Sequence, residues 1–248
     1  MDLSLVGKTA LVTGAATGSG RATAFALAAA GARVAVNHLG QEPQAAEVVG
    51  RIGAADALAL EADVGDAAQV QGLIGDVEAH FGAVDILINN AGVILEKPFL
   101  ETTEADWDRV MGIDLKAVFL CCRAAMPGML ERGEGCVINV ASELGYLGRA
   151  GYSAYTAAKA GVITLTRSLA REFAPTIRVN AIAPGPVATP MLDTSVMSAE
   201  TIDKEADIPV GRVGRPEEIA ATAVFLASEH AGFYCGQVLS PNGGALMA

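Results

Sequence analysis

Tyr155 and Lys159 stand four residues apart in a helical stretch, with Ser142 upstream at the end of an apolar strand. Positions i and i+4 share one face of a helix. An ammonium beside a phenol stabilises the phenolate, so the Tyr155 pKa is expected to fall from about 10 toward neutrality. A phenol tuned in that way exchanges a proton with an alcohol or carbonyl oxygen near physiological pH. Alone the spacing is weak evidence, since a chain with four tyrosines can place one near a lysine by chance. Its weight comes from the elements that must position it.

Apolar strands alternate with helical patterns along most of the chain. Strands are expected at Thr9–Val12, Arg33–Asn37, Ala57–Glu61, Asp85–Asn89, Cys136–Val140, Arg178–Ile182 and Gln237–Ser240. Helices are expected at Gly20–Ala30, Gln44–Ile52, Ala67–Phe81, Thr103–Arg132 with a break, Tyr152–Phe173 and Pro216–Ala227. The strands are continuous apolar runs, as in a parallel sheet covered on both faces, and the alternation implies a doubly wound α/β fold. The first strand runs into Thr13-Gly14-Ala15-Ala16-Thr17-Gly18-Ser19-Gly20. Glycines there permit a tight turn and close approach of the backbone to a pyrophosphate at the next helix N-terminus. A strand before and a helix after make this a dinucleotide-binding turn.

The composition narrows the partners. Apolar residues make up 52 % of the 248-residue chain, enough for a substantial core, and the net charge of −11 disfavours nucleic acid and anionic membranes. The first residues lack a basic segment followed by an apolar core, so no signal peptide is expected, and no apolar run is long enough to span a bilayer. Cys121, Cys122, Cys136 and Cys235 form no Cys-x-x-Cys and read as buried free thiols suited to a reducing cytoplasm. His38, His80 and His230 show no metal-ligand spacing, so no metal is expected.

Taken together, these motifs resemble the short-chain dehydrogenase/reductase family over nearly the whole chain, in the manner of its 3-oxoacyl reductases. The glycine pattern is Thr13, Gly14, Gly18 and Gly20, with Ser19 where isoleucine is common. Asp63, followed by Val64, resembles the adenine-side acid, and Asn89-Asn90-Ala91-Gly92 the motif after the fourth strand. Ser142, Tyr155 and Lys159 match the catalytic set, and Pro184-Gly185-Pro186-Val187-Ala188-Thr189 the nicotinamide-side segment. The resemblance implies one Rossmann-type domain over residues 1–248 with a seven-stranded parallel sheet. It implies hydride transfer between NAD(P)(H) and a carbonyl or secondary alcohol. Tyr155 would be the general acid in reduction and the base in oxidation. Lys159 would lower its pKa and hold the nicotinamide ribose, and Ser142 would position the substrate oxygen. Asp114 occupies the place of a family asparagine that supports a helix kink and a water linking the lysine to solvent. An ionised aspartate accepts hydrogen bonds but donates none, and it could pair with Lys159.

The end of the second strand reads Val36-Asn37-His38-Leu39-Gly40, with no acid before Glu42. NAD-preferring relatives place a carboxylate there for the ribose hydroxyls. Its absence favours NADP, with NAD the alternative, and Asn37, the backbone at His38 and Arg21 are candidates to hold the phosphate. A 3-oxoacyl thioester, small ketone, sugar or polyol fits as substrate. Arg132, Arg167 and Arg171 could form a local patch for an acidic acyl carrier, although the acidic chain opposes that encounter. Residues 184–215 read as a substrate-binding loop or lid with Met191, Leu192, Met197, Ile202 and Ile208 as its apolar side. Leu144, Tyr146 and Ile94 are candidate pocket walls. A dinucleotide-binding regulator without chemistry is the competing reading, but it would not require Ser142, Tyr155 and Lys159 together. The family further implies a homotetramer, and the free thiols suit a cytoplasmic location.

Overall fold

A computed structural model describes residues 3–247. Seven parallel strands form one sheet in the order β3-β2-β1-β4-β5-β6-β7. They are β1 (Thr9–Val12), β2 (Arg33–His38), β3 (Ala57–Glu61), β4 (Ile86–Asn89), β5 (Gly135–Val140), β6 (Ile177–Ile182) and β7 (Val238–Leu239). Nearly every side chain of β1, β2, β4 and β5 is buried, which is why these strands read as unbroken apolar runs.

The flanking helices are α1 (Gly18–Ala29), α2 (Glu42–Ile52), α3 (Ala67–Phe81), α4 (Glu104–Met111), α5 (Ala117–Arg132), α6 (Leu144–Leu147), α7 (Ser153–Phe173), α8 (Ala199–Glu205) and α9 (Pro216–Ala227). Two apolar cores sit on opposite faces of the sheet. One joins Leu11, Leu87 and Val137 to α3, α5 and α7, and the other joins Val12, Ile88 and Ile138 to α1, α2 and α9. The strand order reverses direction between β1 and β4, and the carboxyl ends of parallel strands share one edge. A crevice at that edge is the usual ligand site of such sheets.

Several boundaries differ from the sequence expectation by a residue or two, while α3 and α9 match it. The expected long helix from Thr103 is α4, a π-helical turn at Gly112–Lys116, and α5 in succession. Thr103 caps α4 in a reciprocal capping box with Asp106. Residues 184–215 contain α8 and two isolated bridges, Val187 to Gly214 and Thr189 to Leu192. Cys121, Cys122 and Cys136 are buried, but Cys235 is exposed, contrary to the reading of all four as buried. Among the described residues no helix is long and apolar enough to cross a membrane.

Candidate active site

The glycine turn leaves β1 at the sheet's carboxyl edge and is held from two sides. Gly14 N–H donates to Asn37 Oδ1 at 3.2 Å, and Ala15 N–H to Asn37 O at 2.8 Å. From the other side Asn90 Nδ2 donates to Thr13 O at 2.9 Å and Gly14 O at 3.2 Å. Thr13 Oγ1 accepts from the backbone N–H of Asn90 and Ala91 at 2.9 and 3.0 Å. A Cβ on Gly20 would lie 2.4 Å from Gly14 O and 2.5 Å from Asn90 Nδ2, so only glycine fits there. Gly14 and Gly18 have φ of 60° and 56°, the left-handed region glycine favours. Thr17 precedes α1 without a side-chain cap, Ser19 lies in its first turn, and no acid occupies that turn. The N-terminal amides of α1 therefore offer an anion site with no competing carboxylate, which fits a dinucleotide pyrophosphate.

The structure corrects the role expected of Asn37. Its side chain is buried, and Nδ2 donates to Ala62 O at 3.0 Å with Leu60 O and His38 O each at 3.4 Å, so its amide protons face partners within the protein rather than a phosphate. His38 is buried at the strand end, and its Nδ1 lacks a hydrogen-bond partner. Register places Glu61 of β3 beside His38, where it accepts from Gly40 N–H at 3.0 Å. Sequence reading missed this acid because it arrives from the neighbouring strand. Asp63 folds its Oδ1 back on Gly65 N–H at 2.8 Å, and Val64 enters the core.

Ser142 follows β5, and Tyr155 and Lys159 lie on the buried stripe of α7. That stripe runs through Ala154, Tyr155, Ala158, Lys159, Val162, Ile163, Thr166 and Ala170, the periodicity of a helix seated on a sheet. Gly145 lets α6 approach α7 closely: a Cβ there would sit 2.9 Å from Ala160 N. Ser142 Oγ accepts from Leu144 N–H at 3.1 Å and also interacts with the Tyr155 phenol. Lys159 Nζ donates to Val140 O at 3.0 Å and lies 5.6 Å from the Tyr155 ring centroid.

Asp114 is fully buried in the π-helical turn. Its Oδ1 accepts from Val93 N–H at 2.8 Å, and its Oδ2 faces Lys159 Nζ at 3.4 Å. Gly92 makes room for this pair, since a Cβ there would come 3.3 Å from Oδ2 and 3.4 Å from Nζ. Burial raises the Asp114 pKa despite Lys159 beside it. The Lys159 pKa is itself raised, the attraction of Asp114 and Tyr155 outweighing burial. Burial also raises the Tyr155 pKa; Lys159 pulls it down, but Asp114 pushes it back up. This reverses the fall expected from the sequence, because neither the burial of the phenol nor the carboxylate behind the lysine is visible in a spacing.

Pro184, Gly185, Val187 and Thr189 leave β6 at the same edge. Gly185 N–H donates to Pro241 O at 3.3 Å, and Thr189 packs against Gly18, closing the segment onto the glycine turn. Leu144 packs with Tyr152 and Tyr155, whereas Tyr146 and Ile94 are exposed. Met191 is likewise exposed, and Ile208 packs near Gly243 in the C-terminal segment. Arg132 donates to Val84 O at 2.6 Å and pairs with Asp85, which removes it from a carrier-binding patch. Sequence reading also missed a buried chain in which Asn89 Nδ2 donates to Asn139 Oδ1 at 2.8 Å and Asn139 Nδ2 to Thr166 Oγ1 at 2.9 Å. It ties β4, β5 and α7 together beneath the site.

A doubly wound sheet with a glycine turn at its switch point and a buried Ser-Tyr-Lys set at the same edge defines a nucleotide-dependent oxidoreductase of the Rossmann class. The chain belongs to the short-chain dehydrogenase/reductase family, and it is an NAD(P)-dependent oxidoreductase acting on CH–OH groups. A family profile described as Enoyl-(Acyl carrier protein) reductase matches residues 14–245. The chain is 43 % identical over 244 residues to the 3-oxoacyl-(acyl-carrier-protein) reductase FabG of Staphylococcus aureus, covering 97 % of this chain and 98 % of that one. It is 37 % identical over 249 residues to the enzyme of the same name from Thermotoga maritima, covering 99 % and 100 %. A Brucella melitensis short-chain dehydrogenase/reductase, described as a glucose/ribitol dehydrogenase, superposes over the full length of both chains with a TM-score of 0.93 at 33 % identity.

Proposed function

We propose that this chain reduces a ketone to a secondary alcohol with NADPH, Tyr155 delivering the proton to the carbonyl oxygen. The observation that carries the reading is the burial of Ser142, Tyr155 and Lys159 together beside the glycine turn. Gly14, Thr17, Gly18, Ser19 and Gly20 would hold the phosphates, and Asp63 and Val64 the adenine side. Asn90, Ala91 and Gly92, with Pro184, Gly185, Val187 and Thr189, would line the ribose and nicotinamide. The bound nicotinamide supplies the hydride. Ser142 orients the substrate oxygen and steadies the phenolate left behind. Lys159 places a positive charge beside that phenolate. Asp114 acts through Lys159 as a positioning residue. Burial raises the Tyr155 pKa, so the group is held as the phenol that proton donation to the carbonyl oxygen requires. Residues 184–215, with α8, form the lid.

The absence of a carboxylate on the end of β2 itself favours NADP(H). The names of the curated relatives favour a 3-oxoacyl thioester, and that of the Brucella protein a sugar or polyol. The acidic surface disfavours an acidic carrier as the delivering partner. We further propose a cytoplasmic homotetramer, for which light scattering is expected to return four times the chain mass and a monomer would reject the assembly. A screen of 3-oxo thioesters, small ketones and hydroxy ketones against NADPH and NADH separately tests the main reading. Faster turnover with NADPH is expected. Nucleotide binding without turnover of any substrate would return the chain to the regulator reading.

A further inference from the structure

The wall between Ser142 and the lid holds a carboxylate for which the Tyr155–Lys159 chemistry has no use. Glu143 follows Ser142 directly, is 7 % exposed, and has Oε2 buried without a hydrogen-bond partner. Its backbone is fixed: the N–H donates to Pro184 O at 3.1 Å, and its carbonyl accepts from Tyr146 and Leu147. The side chain lies against Gly185, where an added Cβ would sit 2.6 Å from Oε2. The carboxylate is therefore wedged between the serine and the segment assigned to the nicotinamide side.

The donors around it are already engaged. Arg149 donates to Glu205 of α8 at 2.5 and 3.1 Å, and its guanidinium lies 5.1 Å from the Tyr152 ring centroid. The Tyr152 hydroxyl donates to Glu96 Oε2 at 2.7 Å. Glu205 thus holds the Arg149 guanidinium directly, while Glu96 and Glu143 feel its charge without an ion pair to it. Burial, with repulsion from Glu205, pushes Glu143 up to about 7, and Arg149 offsets this only in part. A buried carboxylate oxygen without a donor is costly unless something else provides one. The excess of carboxylates disfavours an anionic group at this place and suits a neutral donor.

We propose that Glu143 is a specificity-determining residue that accepts a hydrogen bond from a substrate hydroxyl near the reacting carbon, so that the site prefers hydroxylated ketones to unsubstituted ones. The inference rests on the reading of Ser142, Tyr155 and Lys159 as the reductase centre, and it chooses between the two substrate classes left open above. A site built to hydrogen-bond a hydroxyl rejects the analogue lacking it far more strongly than an apolar pocket discriminates by size.

The test compares NADPH-dependent reduction of 1-hydroxy-2-butanone and 3-pentanone, which differ by a hydroxyl against a methyl, in wild type, Glu143→Gln and Glu143→Val. Wild type is expected to favour the hydroxy ketone in kcat/KM. Glu143→Val should lose roughly 10- to 100-fold on the hydroxy ketone, mainly through KM, with 3-pentanone within about twofold. Glu143→Gln, whose amide oxygen still accepts, should retain part of the preference. NADPH affinity and the thermal midpoint should be kept or improved, since an unpaired buried charge is removed. Parallel loss on both ketones, or no wild-type preference, would overturn the proposal while leaving the reductase reading intact. Binding of NADPH with no turnover of either ketone or of any 3-oxo thioester by wild type would overturn both.

Discussion

Replacing Asp114 by asparagine removes one charge from a fully buried pair while keeping the side-chain shape and the acceptor for Val93 N–H. The carboxylate lies 3.4 Å from Lys159 Nζ, an interaction of about 5 kcal/mol at an effective dielectric of about 20. Lys159 Nζ in turn lies 5.6 Å from the Tyr155 ring centroid. The carboxylate is therefore at most about 9 Å from that ring, where one charge contributes about 2 kcal/mol or more on the same scale. Asp114→Asn should therefore lower the Tyr155 pKa, read as a displacement of the pH–rate profile. Asp114 raises the Tyr155 pKa in the native protein, so its neutralisation acts downward. Alcohol oxidation needs the phenolate and rises with pH through this pKa; its midpoint should move to lower pH. Ketone reduction needs the phenol and falls above the pKa; its alkaline limb should move to lower pH as well. The assay is kcat/KM against pH in both directions for the two proteins. Unchanged profiles, or a shift to higher pH, would refute the assignment of Asp114 as an electrostatic brake on Tyr155.

The remaining predictions concern the cradle, the support beneath the site and the lid. Gly20→Ala forces a Cβ to 2.4 Å from Gly14 O, so NADPH affinity should fall at least about tenfold and the thermal midpoint should drop, read by fluorescence titration and calorimetry. Asn139→Ala leaves Asn89 and Thr166 without their shared partner and should cost about 2–4 kcal/mol in denaturant unfolding. Arg149→Ala frees Glu205 from its forked ion pair; protease cleavage within residues 184–215 should accelerate, while the rest of the chain keeps its protection.

The layered fold was legible because fully buried parallel strands are long enough to stand out as apolar runs, and because Pro216, followed by two acids, marks a helix start. The break inside Thr103–Arg132 was visible, but its π-helical character was not: the turn is set by Asp114 reaching Val93 and Lys159, contacts remote in sequence. The proposed trio of Ser142, Tyr155 and Lys159 came from the family resemblance, since the Tyr155–Lys159 spacing alone is weak. Its electrostatics were not legible, since the direction of the Tyr155 shift depends on burial and on a carboxylate brought in by another helix. Asn37 was misread because its place at a strand end suggested a ligand, whereas tertiary contacts turn it into a brace for the glycine turn. Glu143 carried a signal that was passed over, an acid directly after the serine in an otherwise apolar stretch.

We propose Tyr155 as the proton donor in an NADPH-dependent ketone reduction. The most direct measurement is NADPH consumption with a ketone substrate by wild type and Tyr155→Phe, paired with the NADPH Kd of each. In Tyr155→Phe, kcat should fall by about 100-fold or more with Kd changed by no more than about twofold. Turnover by Tyr155→Phe close to that of wild type would contradict the proposal.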